Sequence, residues 1–278
     1  MRTEIATGRP ATRHAGSITP AVAIGGTMAV CCIMSTAAAQ DSLEGRVGIG
    51  PAGNPDYEGS DEYHVVPFLA IDLRYRGFGV SLARSGVLID ISPSRFIDAG
   101  PVVSYRPERD DVEDGAVDAL PDVDDAVEVG GFLAMNLPGP LEGRDGFTLR
   151  FAGTKDVNDG HDGYLVTSSF RYSAPVAENW RLTGTVSSVY ASDSYMDSYF
   201  SVSPFGAAAS GLRTFEADDG FKDVGLTLSV SYKVFEHWGI TAAGRYTRLL
   251  GDAAESPVVD DRGDPDQFFF GIAGTYLF

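Results

Sequence analysis

From Val224 to Val234 every second residue is apolar: Val224, Leu226, Leu228, Val230, Tyr232 and Val234 alternate with Gly225, Thr227, Ser229, Ser231 and Lys233. A period of two sends successive side chains to opposite faces of an extended chain, so the segment is predicted to be a strand with one apolar and one polar face. Leu69, Ile71, Leu73 and Tyr75 alternate in the same way with Ala70, Asp72 and Arg74; Tyr164, Val166, Phe170 and Tyr172 share one parity, and Thr167, Ser169 and Arg171 the other. The last segment puts Phe268, Phe270, Ile272, Gly274, Tyr276 and Phe278 on one face. An aromatic-rich strand of this kind is expected to close an outer-membrane barrel and to be read there by the barrel insertion machinery. Two folds fit such strands: a soluble sandwich that buries the apolar face, and a barrel that turns it toward lipid. Periodicity does not separate them, because only the direction of the face differs.

The connections separate them better. Short ones, Pro138-Gly139-Pro140 and Phe235-Glu236-His237, alternate with long ones, Pro107 to Asp125, Ala191 to Lys222 and Gly251 to Asp266. Short periplasmic turns and long outer loops are the pattern of bacterial outer-membrane barrels. The expected fold is therefore all-β: a transmembrane antiparallel up-and-down β-barrel of about twelve strands over residues 40–278, an even number that returns the chain to the periplasm. Phe78 to Ser92 reads either as two short strands around Arg84-Ser85-Gly86 or as one bulged strand. Trp180, Trp238, Tyr172, Tyr232, Tyr190 and Tyr246 fall near the expected strand ends, where amphipathic rings favour the headgroup level.

The start of the chain supports export. Arg2, Arg9 and Arg13 precede an apolar stretch from about Ile18 to Met34, and Ala37-Ala38-Ala39 supplies small residues for a signal peptidase. Residues 1–39 are expected to be a cleaved signal peptide, with Gln40 the first mature residue. Val30 before Cys31 does not fit a lipoprotein box. Cys31 and Cys32 would leave with the signal, which excludes disulfides and thiolate chemistry from the mature chain. The net charge of -18 becomes -20 once three arginines and Glu4 are removed, a balance that argues against nucleic acid as a partner.

The candidate chemistry is sparse. Asp72, Arg74, Asp90, Asp98, Arg150, Arg171 and Arg245 are expected to face the barrel interior, either as ion pairs that plug it or as a selective constriction. The acidic run from Pro107 to Asp125 reads as a solvated outer loop. It lacks calcium-hand spacing, with Val112 where an Asp or Asn is wanted, and Asp156, Asn158 and Gly160 only imitate that motif. His161-Asp162 is the best available base for a hydrolase, but Gly160 and Gly163 mark a surface turn, so a surface-loop residue is expected. No catalytic, cofactor-binding or metal-ligating residue is assigned.

Specific wording adds to this. Asp193-Ser194-Tyr195-Met196-Asp197-Ser198-Tyr199-Phe200, then Ser203-Pro204 and Ala207-Ala208-Ala209-Ser210-Gly211-Leu212, resembles the MipA/OmpV family. The likeness continues through Gly220-Phe221-Lys222-Asp223-Val224-Gly225, Tyr246 to Pro257 and Phe268 to Phe278, with Val47-Gly48-Ile49-Gly50 and Pro55 to Asp61 near the start. It implies a barrel in the cell outer membrane, among lipids and lipopolysaccharide. It further implies a noncatalytic scaffold that contacts a lytic murein transglycosylase and a penicillin-binding protein, linked to peptidoglycan assembly. A narrow channel or solute-binding, porin-like barrel is the alternative, and a loop-based hydrolase comes third. Ser201, where the family pattern leads one to expect glycine, and the acidic segment at Asp110 to Asp125 depart from the family pattern.

Overall fold

The computed structural model describes residues 42–84, 86–141 and 143–278. The expected signal peptide, with Cys31, Cys32 and Gln40, lies outside them. The described residues form twelve antiparallel strands, each paired with its neighbours in sequence, and β1 closes on β12. The strands are β1 Glu44–Pro55, β2 Tyr63–Tyr75, β3 Phe78–Ala83, β4 Gly86–Asp90, β5 Ile97–Arg106, β6 Ala126–Pro138, β7 Gly146–Asp156, β8 Tyr164–Ala177, β9 Trp180–Ala191, β10 Gly220–Lys233, β11 Trp238–Leu249 and β12 Asp266–Leu277. The region from Phe78 to Ser92 therefore resolves into two short strands, paired from Gly79 opposite Asp90 to Ala83 opposite Gly86.

The alternation points the way a barrel in lipid requires. Leu226, Leu228, Phe270, Ile49 and Val65 stand outside the sheet, Val65 with 79% of its surface exposed. The opposite parity of the same strands turns inward: Arg46 lies beside Asp72 and Thr227 beside Arg245 across the ladders. Trp180 lies tilted against Tyr232 at 4.5 Å and Trp238 meets Tyr276 edge-on at 5.2 Å, an aromatic girdle at the rim of short turns. No helix among the described residues is long and apolar enough to cross a membrane, so the spans are strands.

At the seam between β1 and β12 the backbones approach closely. A Cβ on Gly50 would sit 1.8 Å from the Ile272 carbonyl oxygen. Pro51 follows it and has no N–H to offer the ladder.

The long connections are folded, where the sequence suggests only loops. Residues 192–219 contain helices α1 Asp193–Phe200 and α2 Pro204–Ser210; residues 250–265 contain α3 Gly251–Glu255 and α4 Pro257–Asp260. Ser203 caps α2 by accepting the Gly206 N–H, Pro204 occupies its first turn, and Gly211 ends it at φ 79°. Together with residues 107–125 these segments roof one end of the barrel. The roof has its own core, in which Tyr195, Met196, Phe200, Val202, Val258 and Val259 are almost completely buried. A smaller apolar cluster, Leu88, Val102, Phe132, Ala134 and Ala152, fills the inside of the wall formed by β4 to β7.

The expectation of a solvated acidic loop holds for the acids of residues 107–125, seven of nine being exposed, while the apolar residues between them are built into the roof. Val117, Leu120 and Val123 of that segment pack into the roof, and Arg109 is buried with its guanidinium donating to the carbonyls of Tyr199 and Pro121. Asp114 accepts from the Ala116 and Val117 amides and pairs with Arg262, tying two outer segments together. Of the nine acids only Asp114 and Asp125 are half-buried.

Candidate functional site: buried ions beneath the roof

Two ion clusters join the roof to the strands. In the first, Asp223 is fully buried and accepts from both terminal nitrogens of Arg84, at 2.7 and 2.6 Å. Lys222 Nζ lies 2.9 Å from the same carboxylate and also pairs with Glu58, which in turn accepts from the Tyr195 hydroxyl at 2.7 Å. Lys222 and Asp223 are neighbours in sequence, and a regular strand would send them to opposite faces. A register shift between Phe221 and Asp223 on the β9 side lets both turn inward. One α1 tyrosine, one outer-turn arginine, one glutamate after β1 and two residues of β10 thus share a single network.

The second cluster centres on Glu128 of β6. It accepts from Arg106 Nε at 3.0 Å, from the Thr154 hydroxyl at 3.0 Å and from His161 Nε2 at 3.2 Å. The Gly163 amide donates to His161 Nδ1 at 3.0 Å, so Nδ1 carries the lone pair and the proton sits on Nε2. His161 is 3% exposed and meets the Tyr195 ring edge-on at 4.9 Å. It is therefore a buried structural residue, which corrects the surface-loop expectation. With both nitrogens committed, the imidazole has no free lone pair to act as a general base. Asp156 is equally committed: it accepts from the amides of Asn158, His161 and Asp162, which accounts for its resemblance to a calcium loop.

Of the seven charges expected inside, Arg74, Asp90 and Asp98 do come together. Arg74 Nη2 donates to both oxygens of Asp98 at 3.0 and 3.1 Å, and its Nη1 lies 3.6 Å from Asp90. Asn136 and Thr148 extend this link along the inner wall, strand by strand from β5 to β8, to Arg171 through contacts of 2.8, 2.9 and 3.3 Å. Arg150 and Arg245 instead lie over the rings of Phe132 and Phe269, with no carboxylate at ion-pair distance among the described residues. The plug expected from the sequence is thus partial. Arg84, Lys222 and Glu58 escape a periodicity reading, because two lie outside regular strands and the third depends on the bulge.

Burial alone would raise the Glu58 carboxyl, but Lys222 and Arg106 beside it, with hydrogen bonds from Lys222 and Tyr195, hold it at about 2 against an ordinary 4.5. A depressed carboxylate stabilises the fold fully above its unfolded pKa and ceases to do so as the pH falls through the folded value. Its contribution, on the order of 3 kcal/mol at most, is accordingly lost between about pH 4.5 and 2. Pepsin is expected to cut residues 192–219 near pH 2 and to spare them at pH 5, while the strands stay intact throughout. In Glu58→Gln the segment should already be open at pH 5. Protection that does not change over this range would count against the network as the fastening of the roof.

A closed antiparallel sheet with its apolar side chains outward and its ions inward is a transmembrane β-barrel of the outer-membrane type. The chain belongs to the family described as MltA-interacting protein MipA, whose profile matches residues 47–278. Over 129 residues it is 24% identical to the outer membrane protein YiaT of Escherichia coli (strain K12), covering 46% of this chain and 51% of that one. Over 69 residues it is 36% identical to the MltA-interacting protein of the same organism, covering 25% of this chain and 27% of that one. The match thus spans about half the length of the first relative and about a quarter of the second. Among solved structures, an outer membrane channel from Pseudomonas putida F1 aligns with a TM-score of 0.45 at 11% identity, covering 87% of this chain and 97% of that one. The protein resides in the outer membrane of the Gram-negative envelope.

Proposed function

We propose that the protein, freed of residues 1–39, is a noncatalytic outer-membrane scaffold whose periplasmic rim docks enzymes of murein assembly. The observation that carries this reading is the roof: an apolar core and two ion clusters occupy the outer mouth, which leaves the rim of short turns as the face open to a periplasmic partner. Phe96, Leu141 and Phe235 are exposed there, Phe235 at 69%. The name of one relative, MltA-interacting protein, supports a lytic murein transglycosylase as the partner; a penicillin-binding protein in the same assembly is part of the proposal. A stable interface takes about 800 Å² from each side, so several turns must act together. Photo-crosslinkers at Leu141, Glu178 and Phe235 of the assembled barrel are expected to capture a murein transglycosylase. Their failure to capture any murein enzyme would remove the scaffold reading.

A narrow channel or solute-binding barrel is the second reading. It is favoured by the cavity of about 280 Å³ that remains beneath the roof, bordered by Arg84, Arg106, Lys222 and Arg245.

A further inference from the structure

The charges around this cavity are unevenly paired. Arg84, Arg106, Arg109, Lys222 and Arg245 stand around it with five carboxylates, Asp56, Glu58, Glu108, Glu128 and Asp223, of which Glu58, Glu128 and Asp223 are each already held by at least two donors. Arg245 has a ring face beneath it and no carboxylate at ion-pair distance among the described residues; Asp223 and Glu58 act on it only from farther off, and Arg84 is close enough to repel it. Buried charges without counter-ions are costly in a low-dielectric interior. Two other buried ions nearby are held by the backbone, Arg109 by carbonyls and Asp156 by amides, and neither pairs with Arg245. Asp56 and Glu108 border the cavity beyond the strand ends, Asp56 facing His64 at 3.2 Å. The wall keeps spare donor capacity as well: the Tyr199 hydroxyl is buried with no hydrogen-bond partner among the described residues.

The opposite end of the lumen is cationic. A second cavity, of about 200 Å³, lies at the periplasmic rim and is bordered by Arg46, Arg181 and Lys233 against one acid, Glu178. Arg46 is within electrostatic reach of Arg171 and Arg181, with Asp72 as the carboxylate near it. Low-dielectric walls focus such a field and concentrate counter-ions along it.

We propose that the cavity beneath the roof binds a small organic monoanion, its carboxylate paired with Arg245, which enters from the periplasmic side. The volume of about 280 Å³ equals about nine waters at roughly 30 Å³ each, which limits the ligand to about the size of a monosaccharide. This inference rests on the solute-binding reading and names its ligand class. Calorimetry on the detergent-solubilised barrel with sodium glucuronate and with glucose separates the two.

Glucuronate is expected to bind saturably and glucose not to bind. Arg245→Gln is expected to weaken glucuronate tenfold to a hundredfold, the range for losing a charge-assisted contact, and Arg245→Lys to recover part of it. Unheated gel mobility equal to that of the parent shows that each variant is folded. Equal binding of glucose and glucuronate overturns the anion class while the solute-binding reading stands; binding of neither overturns both. Glucuronate binding unchanged in Arg245→Gln overturns the assignment of Arg245. The comparison of the two sugars on the unaltered protein needs no variant to fold.

Discussion

Asp223→Ala is expected to release the roof while leaving the barrel closed. The change strands Arg84 and Lys222 in a place where Asp223 is fully buried and within 2.6 to 2.9 Å of both. Removing one partner of a buried pair costs about 3–5 kcal/mol, because the remaining charge keeps its desolvation penalty. The ladder joining β9, β10 and β11 does not depend on that carboxylate, so the strands should hold. Thermolysin should cut residues 192–219 within minutes in the variant and far more slowly in the parent, with unheated gel mobility the same for both. Asp223→Asn, which keeps an acceptor without the charge, should fall between them. A roof as protected in Asp223→Ala as in the parent would show that the apolar core alone holds it.

Gly50→Val is expected to prevent closure. Its Cβ would meet the Ile272 carbonyl oxygen at 1.8 Å and the Ala273 Cα at 2.8 Å, so the obstacle is the neighbouring backbone and not a side chain that can turn aside. Overfilling a core with methylenes costs roughly 1–3 kcal/mol; here relief requires the β1–β12 ladder itself to part, and the cost should exceed that range. The unheated protein should lose the fast-migrating folded band. Gly274→Val is the control, since it lies on the same seam with nothing within 4 Å of its added Cβ, and it should keep that band. Equal behaviour of the two variants would mean that the seam can yield.

The strands were legible because a barrel in lipid imposes one rule on every residue it spans: outward means apolar. Val224 to Val234 and Phe268 to Phe278 follow that rule without exception apart from the glycine at position 274. The roof obeys a different rule, and its segments look like loop in the sequence. Its helices are four to eight residues long, too short for a helical period to emerge from sequence. Signals were nevertheless present in Ser203-Pro204 with Gly211 and in Ser256-Pro257, which mark helix starts and one stop. The ion clusters were less legible still. Lys222 is inward only because of a bulge, and His161 is buried because Tyr195, 34 positions later, folds over it. Contacts of that kind are tertiary, and alternation along one segment carries no record of them.

The roof's separate core means that the chain answers to two solvents at once. At Val258, sealed among side chains above the membrane wall, a polar replacement would be judged as in any water-soluble protein, by the cost of leaving water for a packed interior. At Leu228, half exposed on the outside of β10, the same replacement would be judged against hydrocarbon, and its penalty would depend on depth in the bilayer. A single hydrophobicity scale applied along this sequence would therefore misjudge one of the two sets. The boundary between them runs near the outer ends of the strands, where the ions stand.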